Sequence, residues 1–245
     1  DYRRPARVCS ISLSAFDPKQ TFEQPALHLA MPAPKLSTGS NINAYLLLTM
    51  ITERQIRKHI TTRAARYFQS PGEVMFIEEF EVDKGHARID IAFIGTHLVG
   101  VEIKSPQDNL SRLPSQSEAF SRYFEYVLLV TDHGFISEAE TIVPDWWGLT
   151  SIQSMDQGVR FRQVRRPKQN PSMDVEALVG LLWKDELLSL VHQFIGTLPC
   201  KRSPKRELRD MLMVIPDTKL LLRRAVELMT RRTDWRAVPL SAIMG

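Results

Sequence analysis

Apolar and polar positions fall into no period over residues 1–42, which are rich in Pro, Ser, Thr and Gln, so an irregular N-terminal arm is expected there, with MPAPKLSTGS lying on the surface. From Asn43 to Phe68 the pattern changes. Leu47, Met50, Ile51, Ile56 and Ile60 recur at helical spacing with the charges gathered elsewhere, which predicts a helix. After the breaker SPGE, the run VMFIEEFEVDKGHARIDIAFI predicts two strands joined at Lys84-Gly85. A second turn at Gly95-Thr96 leads into HLVGVEIKS, ended by Ser105-Pro106, so three successive antiparallel strands are expected. Leu110, Leu113, Ala119, Phe120, Tyr123 and Phe124 then predict a helix beginning near Pro114. YVLLVTD reads as a buried strand and WWGLTSI as a final short one.

Beyond Asn170 the period is helical throughout. MDVEALVGLLWKDELLSLVHQFIG, SPKRELRDMLMVI and DTKLLLRRAVELMTRRTDW each predict one helix, with Ser203 and Asp217 as N-caps of the second and third. Helix, three strands, helix and strand followed by helices alone predict an α/β core with a mixed sheet over residues 43–165 and an all-helical C-terminal region over 166–245.

With 245 residues and 43% hydrophobic content, the chain can build one sizeable core, or one core and a small appended domain. No apolar run is long enough to span a bilayer, and DYRRPARVCS lacks the charged-then-apolar order of a signal peptide. Cys9 and Cys200 lie far apart without metal-ligand neighbours, which disfavours zinc and disulfide frameworks and makes a reducing, cytoplasmic setting the expectation. The net charge of +4 is modest, but KRSPKRELR, RRTDWR and RQVRRPK concentrate it. Such clusters suit either a polyanionic partner or a solvated helix surface. No phosphate-binding glycine loop is present, so nucleotide use is unsupported.

Three charges interrupt the apolar strands: Asp90 in RIDIAFI, and Glu102 and Lys104 in VEIKS. Strand alternation puts Glu102 and Lys104 on one face, and the Gly95-Thr96 turn brings Asp90 towards them. Two carboxylates beside an ammonium suit a hard divalent cation, Mg²⁺ or Mn²⁺, with Asp90 and Glu102 as ligands and Lys104 beside an attacking water. From spacing alone, the favoured reading is a salt-bridged cluster on an exposed sheet face.

The pattern R-I-D-I-A-F-I followed by V-E-I-K-S resembles the PD-(D/E)XK nuclease superfamily, whose restriction-endonuclease-like core is a mixed sheet flanked by helices. The run GVEIKSPQDNLSRLPSQSEAFSRYFEYVLLVTD, with PDWWGL, RRPKQNPSMDVEALVGLLWKDELLSLV and LRRAVELMTRRTDW, resembles a prokaryotic and phage family of nuclease-like proteins with a helical tail, over about residues 50–236. The resemblance implies a Mg²⁺- or Mn²⁺-dependent nuclease hydrolysing phosphodiester bonds in DNA, with Asp90 and Glu102 as metal-binding carboxylates and Lys104 as catalytic lysine. It adds Gln116 and Glu53 to the catalytic set, with Glu78 and Glu79 competing for the place of Glu53. Tyr123 stands on the helix of Gln116, although Phe120 occupies the position where the superfamily's motif has its Tyr, and Pro106 stands where an acidic residue is common.

Arg112, Tyr123, Arg165 and Arg166 are the candidate nucleic-acid contacts. Asp108 and Arg112 serve either substrate phosphate or a loop salt bridge, and Trp146-Trp147 either stack on bases or plug the core. His86, His97 and His133 are scattered over turns. The alternative function is a catalytically inactive nucleic-acid-binding or adaptor protein with the same fold, acting in a defence or repair complex. Self-association or a protein partner would use the C-terminal helices.

Overall fold

The computed structural model describes residues 56, 57, 60, 74–155, 158–232 and 238–239. The arm over 1–42, Glu53 and most of the first predicted helix lie outside the described residues; Ile56, Arg57 and Ile60 are helical.

The strands are β1 (Met75–Val82), β2 (Ala87–Ile94), β3 (Leu98–Lys104), β4 (Tyr126–Asp132), β5 (Gly148–Met155), β6 (Gly158–Arg165) and the two-residue β7 (Val238–Pro239). They form one mixed sheet in the order β6-β5-β4-β3-β2-β1-β7. β1, β2 and β3 pair antiparallel in succession, as the two turn signals predict. β3, β4 and β5 run parallel, and β6 returns antiparallel to β5 at the sheet edge. The first hairpin turns through Asp83, Lys84 and Gly85, all at positive φ. Gly85, at φ +86°, takes the part of that turn least suited to a side chain.

Helix α1 (Leu113–Tyr123) carries the chain from β3 to β4, and α2 (Ile136–Ile142) carries it from β4 to β5. Pro114 opens α1 where its missing N–H costs nothing. α2 and β6 are absent from the sequence expectation: α2 is barely two turns, and β6, GVRFRQVR, has too few apolar residues to read as a strand. The tail consists of α3 (Val175–Gly180), α4 (Lys184–Ile195), α5 (Lys205–Met213) and α6 (Thr218–Thr230).

The first predicted tail helix is thus two. Its apolar period continues through Leu181 and Leu182, yet α3 ends at Gly180 and the chain is extended at Trp183, whose N–H is accepted by Glu186 Oε2 at 2.6 Å. Arg232, just beyond α6, holds the break by donating to both Glu186 oxygens and to the Leu181 carbonyl, with its guanidinium 4.4 Å from the Trp183 ring. Asp217 caps α6 by accepting the Leu220 N–H, as predicted, whereas Pro204 replaces Ser203 at the start of α5.

Each sheet face has its own apolar cluster. On one face Ile89, Leu98, Val127, Leu129 and Leu149 pack with α1 and the tail helices, so sheet and tail share a core. On the other, Ile91, Phe93, Val99, Val101 and Ile103 pack with Ile56 and Ile60. A Cβ on Gly100 would overlap Ile89 and meet the Phe124 ring at 3.1 Å, which explains the glycine inside β3. Trp146 and Trp147 are buried, and Trp147 stacks on Phe120, so the pair plugs the core. Among the described residues, no helix is long and apolar enough to cross a membrane.

Candidate functional site

β3 is buried along its whole length, and its alternation sends Gly100, Glu102 and Lys104 towards α1. Glu102 and Lys104 are only 2% and 4% exposed, which corrects the expectation of an exposed sheet face. Their charges are paired. Lys104 Nζ donates to Glu102 Oε1 at 2.6 Å, and Gln116 Nε2, from the first turn of α1, donates to the same oxygen at 2.7 Å. Burial pushes the Glu102 carboxyl up to about 7; the nearby Asp90 charge adds to the rise, and Lys104 and Gln116 oppose it.

Asp90 comes to this cluster through a local fault in the sheet. Ile77 and Phe80 in β1, like Ile89 and Ala92 in β2, face the same apolar cluster although strict alternation would separate them. Both strands change faces between those positions, where Glu79 adopts φ +54° and stands opposite Asp90. The β2–β3 ladder also stops at the Ile91–Val101 pair. Asp90 continues it with its side chain: Oδ2 accepts the Ile103 N–H at 2.6 Å. Its Oδ1 accepts from Arg57 Nη2 at 2.9 Å, and Arg57 Nη1 donates to the Asp90 carbonyl at 2.8 Å. Arg57 also pairs with Glu79 at 2.6 Å, and Glu79 with Arg88 at 2.6 Å.

The structure therefore brings Asp90, Glu102, Lys104 and Gln116 into one neighbourhood; Glu53 lies outside the described residues. Glu79 joins this network through Arg57, and the exposed Glu78 stands 4.0 Å from the same guanidinium. A divalent cation has few free oxygens here. Both Asp90 oxygens already accept hydrogen bonds, and of the Glu102 oxygens Oε2 alone is without a partner. Among the described residues, no group of three or more His, Cys, Asp or Glu side chains could hold a metal ion. Among the described residues, the arrangement offers Mg²⁺ or Mn²⁺ one unpartnered carboxylate oxygen, Glu102 Oε2.

The candidate nucleic-acid residues divide. Arg112 is exposed at the start of α1, and Arg166 is exposed past the end of β6. Tyr123 is 5% exposed within the core, and the half-buried Arg165 donates to the Trp147 and Pro144 carbonyls, so both hold the fold together. Asp108 accepts from the Ser105 N–H and hydroxyl, closing the loop after β3. Sequence reasoning missed Arg57, because nothing in a helical pattern says which strand its charge will meet. It also missed the buried Thr131 and Ser151. The signal for Thr131 was present as one polar side chain in the otherwise apolar YVLLVTD.

The family of bacteriophage P4 protein cII matches residues 48–231. Protein cII of Enterobacteria phage P4 is 31% identical over 122 residues, which cover 50% of this chain and 46% of that protein. The chain thus spans about half the length of that relative, and no solved structure matches. These findings overturn the nuclease expectation: the matched family is that of a phage protein cII and not a PD-(D/E)XK nuclease family, so metal-dependent phosphodiester hydrolysis loses its support. The phage members that the resemblance includes agree with the match to a phage protein family. The signature misled for a physical reason, since an Asp and an E-x-K on neighbouring strands also suit a closed ion-pair cluster. From residue 48 to residue 231, the chain belongs to the bacteriophage P4 protein cII family.

Proposed function

We propose that this protein is a non-catalytic nucleic-acid-binding protein built on a restriction-endonuclease-like arrangement of strands. One contrast carries the reading. The acidic groups of the central cluster are engaged by Arg57, Lys104, Gln116 and the Ile103 N–H, whereas a subset of the exposed cations elsewhere makes no ion pair among the described residues. Those cations include Arg160 and Arg162 on β6, and Lys201, Arg202 and Arg206 around the start of α5. A closed acidic centre with open basic surfaces suits binding without bond cleavage. In this reading Asp90, Glu102, Lys104 and Gln116 position strands and helix, and nucleic-acid binding needs no Mg²⁺.

The test is fluorescence anisotropy with labelled single-stranded and duplex DNA at low salt, in EDTA and in Mg²⁺. Equal affinity in both and intact DNA after long incubation are expected. Absence of binding to either DNA, or binding lost in EDTA, overturns the proposal. A second reading, an adaptor docking a protein through the tail, is favoured by Leu198 and Val214, which are 82% and 75% exposed. Light scattering at increasing concentration tests self-association as one form of it; a constant monomer mass removes that form.

A further inference from the structure

The sheet register aligns a row of polar side chains that runs from the buried cluster out to the sheet edge. Lys104 pairs with Thr131 across β3–β4, Thr131 with Ser151 across β4–β5, and Ser151 with Arg162 across β5–β6. Residues in direct register share a face, so these four form a row, flanked at its outer end by the Gln153–Arg160 pair. Its inner part is covered: Lys104, Thr131 and Ser151 are 4%, 0% and 4% exposed. Its outer part is exposed, with Gln153 on β5 and Arg160 and Arg162 on β6, the last strand of the sheet. The row lies towards the carboxyl ends of β3 and β4, the end of a parallel sheet at which open α/β folds take ligands.

Arg160 and Arg162 differ from the other arginines in or against the sheet. Arg57, Arg88 and Arg165 are each spent on a carboxylate or a carbonyl, whereas Arg160 and Arg162 make no ion pair among the described residues. Charges on an edge strand also deter strand-to-strand association, and one would suffice for that. Two on the same face repeat at about 6.6 Å, twice the rise of a strand. That spacing resembles the separation of successive phosphates along a nucleic-acid strand, and each guanidinium presents a fork that matches phosphate.

Resting on the nucleic-acid reading above, we propose that β6 is the phosphate-binding edge of this protein, with Arg160 and Arg162 each holding one phosphate of a nucleic-acid strand that runs along it. The nearby groups favour nucleic acid over an acidic protein. Gln153 is a neutral amide of the kind that accompanies Arg at phosphate and sugar oxygens. Val159 and Phe161 pack on the opposite side, so the side chains directly across from the two arginines, Gln153 and Ser151, are polar, and the exposed apolar side chains of this hairpin, Met155 and Val164, stand beyond them.

The experiment measures binding of a fluorescein-labelled oligodeoxythymidine and a labelled duplex to wild type, to Arg160→Ala/Arg162→Ala, and to Lys201→Ala/Arg202→Ala/Arg206→Ala as a second basic surface. Circular dichroism first establishes that each variant is folded. The β6 variant is expected to bind at least about tenfold more weakly, with the slope of log K against log salt smaller by roughly 1.4 to 1.8, for two phosphates lost. Arg160→Lys/Arg162→Lys should recover the salt slope but only part of the affinity. Unchanged affinity and slope in the β6 variant while wild type binds would overturn this inference and leave the nucleic-acid reading standing. Absence of wild-type binding would sink both. Polyglutamate that competes as well as an oligonucleotide of equal charge would overturn the choice of nucleic acid.

Discussion

The centre and the edge of the sheet use the same kinds of charge to opposite ends. At the centre, Lys104 lies against Glu102, Gln116 donates to the same carboxylate, and Asp90 stands in for a missing backbone acceptor of β2. At the edge, Arg160 and Arg162 lie open. A buried charge must be paired or neutralised because leaving water is costly, whereas an exposed one can stay unpaired with little loss. The difference teaches that charges inside apolar strands become functional candidates only after their partners are known. If the centre is structural and the edge is for binding, substitutions at the two places should separate stability from affinity.

The largest effect is expected from Lys104→Met, which leaves Glu102 buried without its cation. Breaking a buried pair from one side costs about 3–5 kcal/mol, read by urea or guanidinium unfolding. Part of this can be relieved by protonation of Glu102, so the loss should be smaller at pH 5 than at pH 8. The double variant Glu102→Gln/Lys104→Met, which removes both charges, should be far closer to wild type than the single one. A single variant as stable as wild type at pH 8 would break the assignment of the cluster to structure.

The second effect concerns pH. The Glu102 carboxyl is raised by burial to about 7 from its ordinary value of 4.5. Between those values the folded state holds a proton that the unfolded state has released, so stability falls as pH rises from about 4.5 to about 7 and levels off above. The shift corresponds to on the order of 3 kcal/mol over that window. This slope should vanish in Glu102→Gln/Lys104→Met. A wild-type unfolding free energy that rises through the window would contradict the sign.

Much of this architecture was legible in the chain. The Lys84-Gly85 and Gly95-Thr96 turns, the apolar runs of β1 to β4 and the start of α1 follow from local pattern, because a strand buried on both faces or a helix with one apolar side must show it. β6 was not legible because its exposed face alternates Arg160 and Arg162 with Val159 and Phe161, a weak signal beside the apolar β4. The break at Trp183 was hidden because Arg232, far along the chain, creates it. Within the site, Glu102 and Lys104 were placed correctly on one face by strand alternation. The role of Asp90 was not, because its partner Arg57 comes from a distant helix and its place in the ladder depends on a face change shared by two strands.

A third, smaller effect sharpens the account of Asp90. Asp90→Ala removes the acceptor of the Ile103 N–H and one partner of Arg57, and should cost about 1–3 kcal/mol. Arg57→Ala should cost less, since the side chain of Asp90 is 20% exposed and water can replace a guanidinium there. Comparable losses in both variants, with no further loss when the two are combined, would mark them as one unit; fully additive losses would separate them.

The smallest effect is the one that closes the comparison from the other side. Arg160→Ala and Arg162→Ala remove exposed side chains with no ion pair among the described residues, and surface substitutions of that kind usually shift stability by no more than about 0.5 kcal/mol. The unfolding midpoint of either variant should therefore match wild type at any pH, while the central variants shift with pH. If removing an edge arginine instead cost as much as removing Asp90, the edge would be holding the sheet together. Its charges would then belong with the central cluster, and the division of labour between centre and edge would fail at the point where it makes its weakest demand.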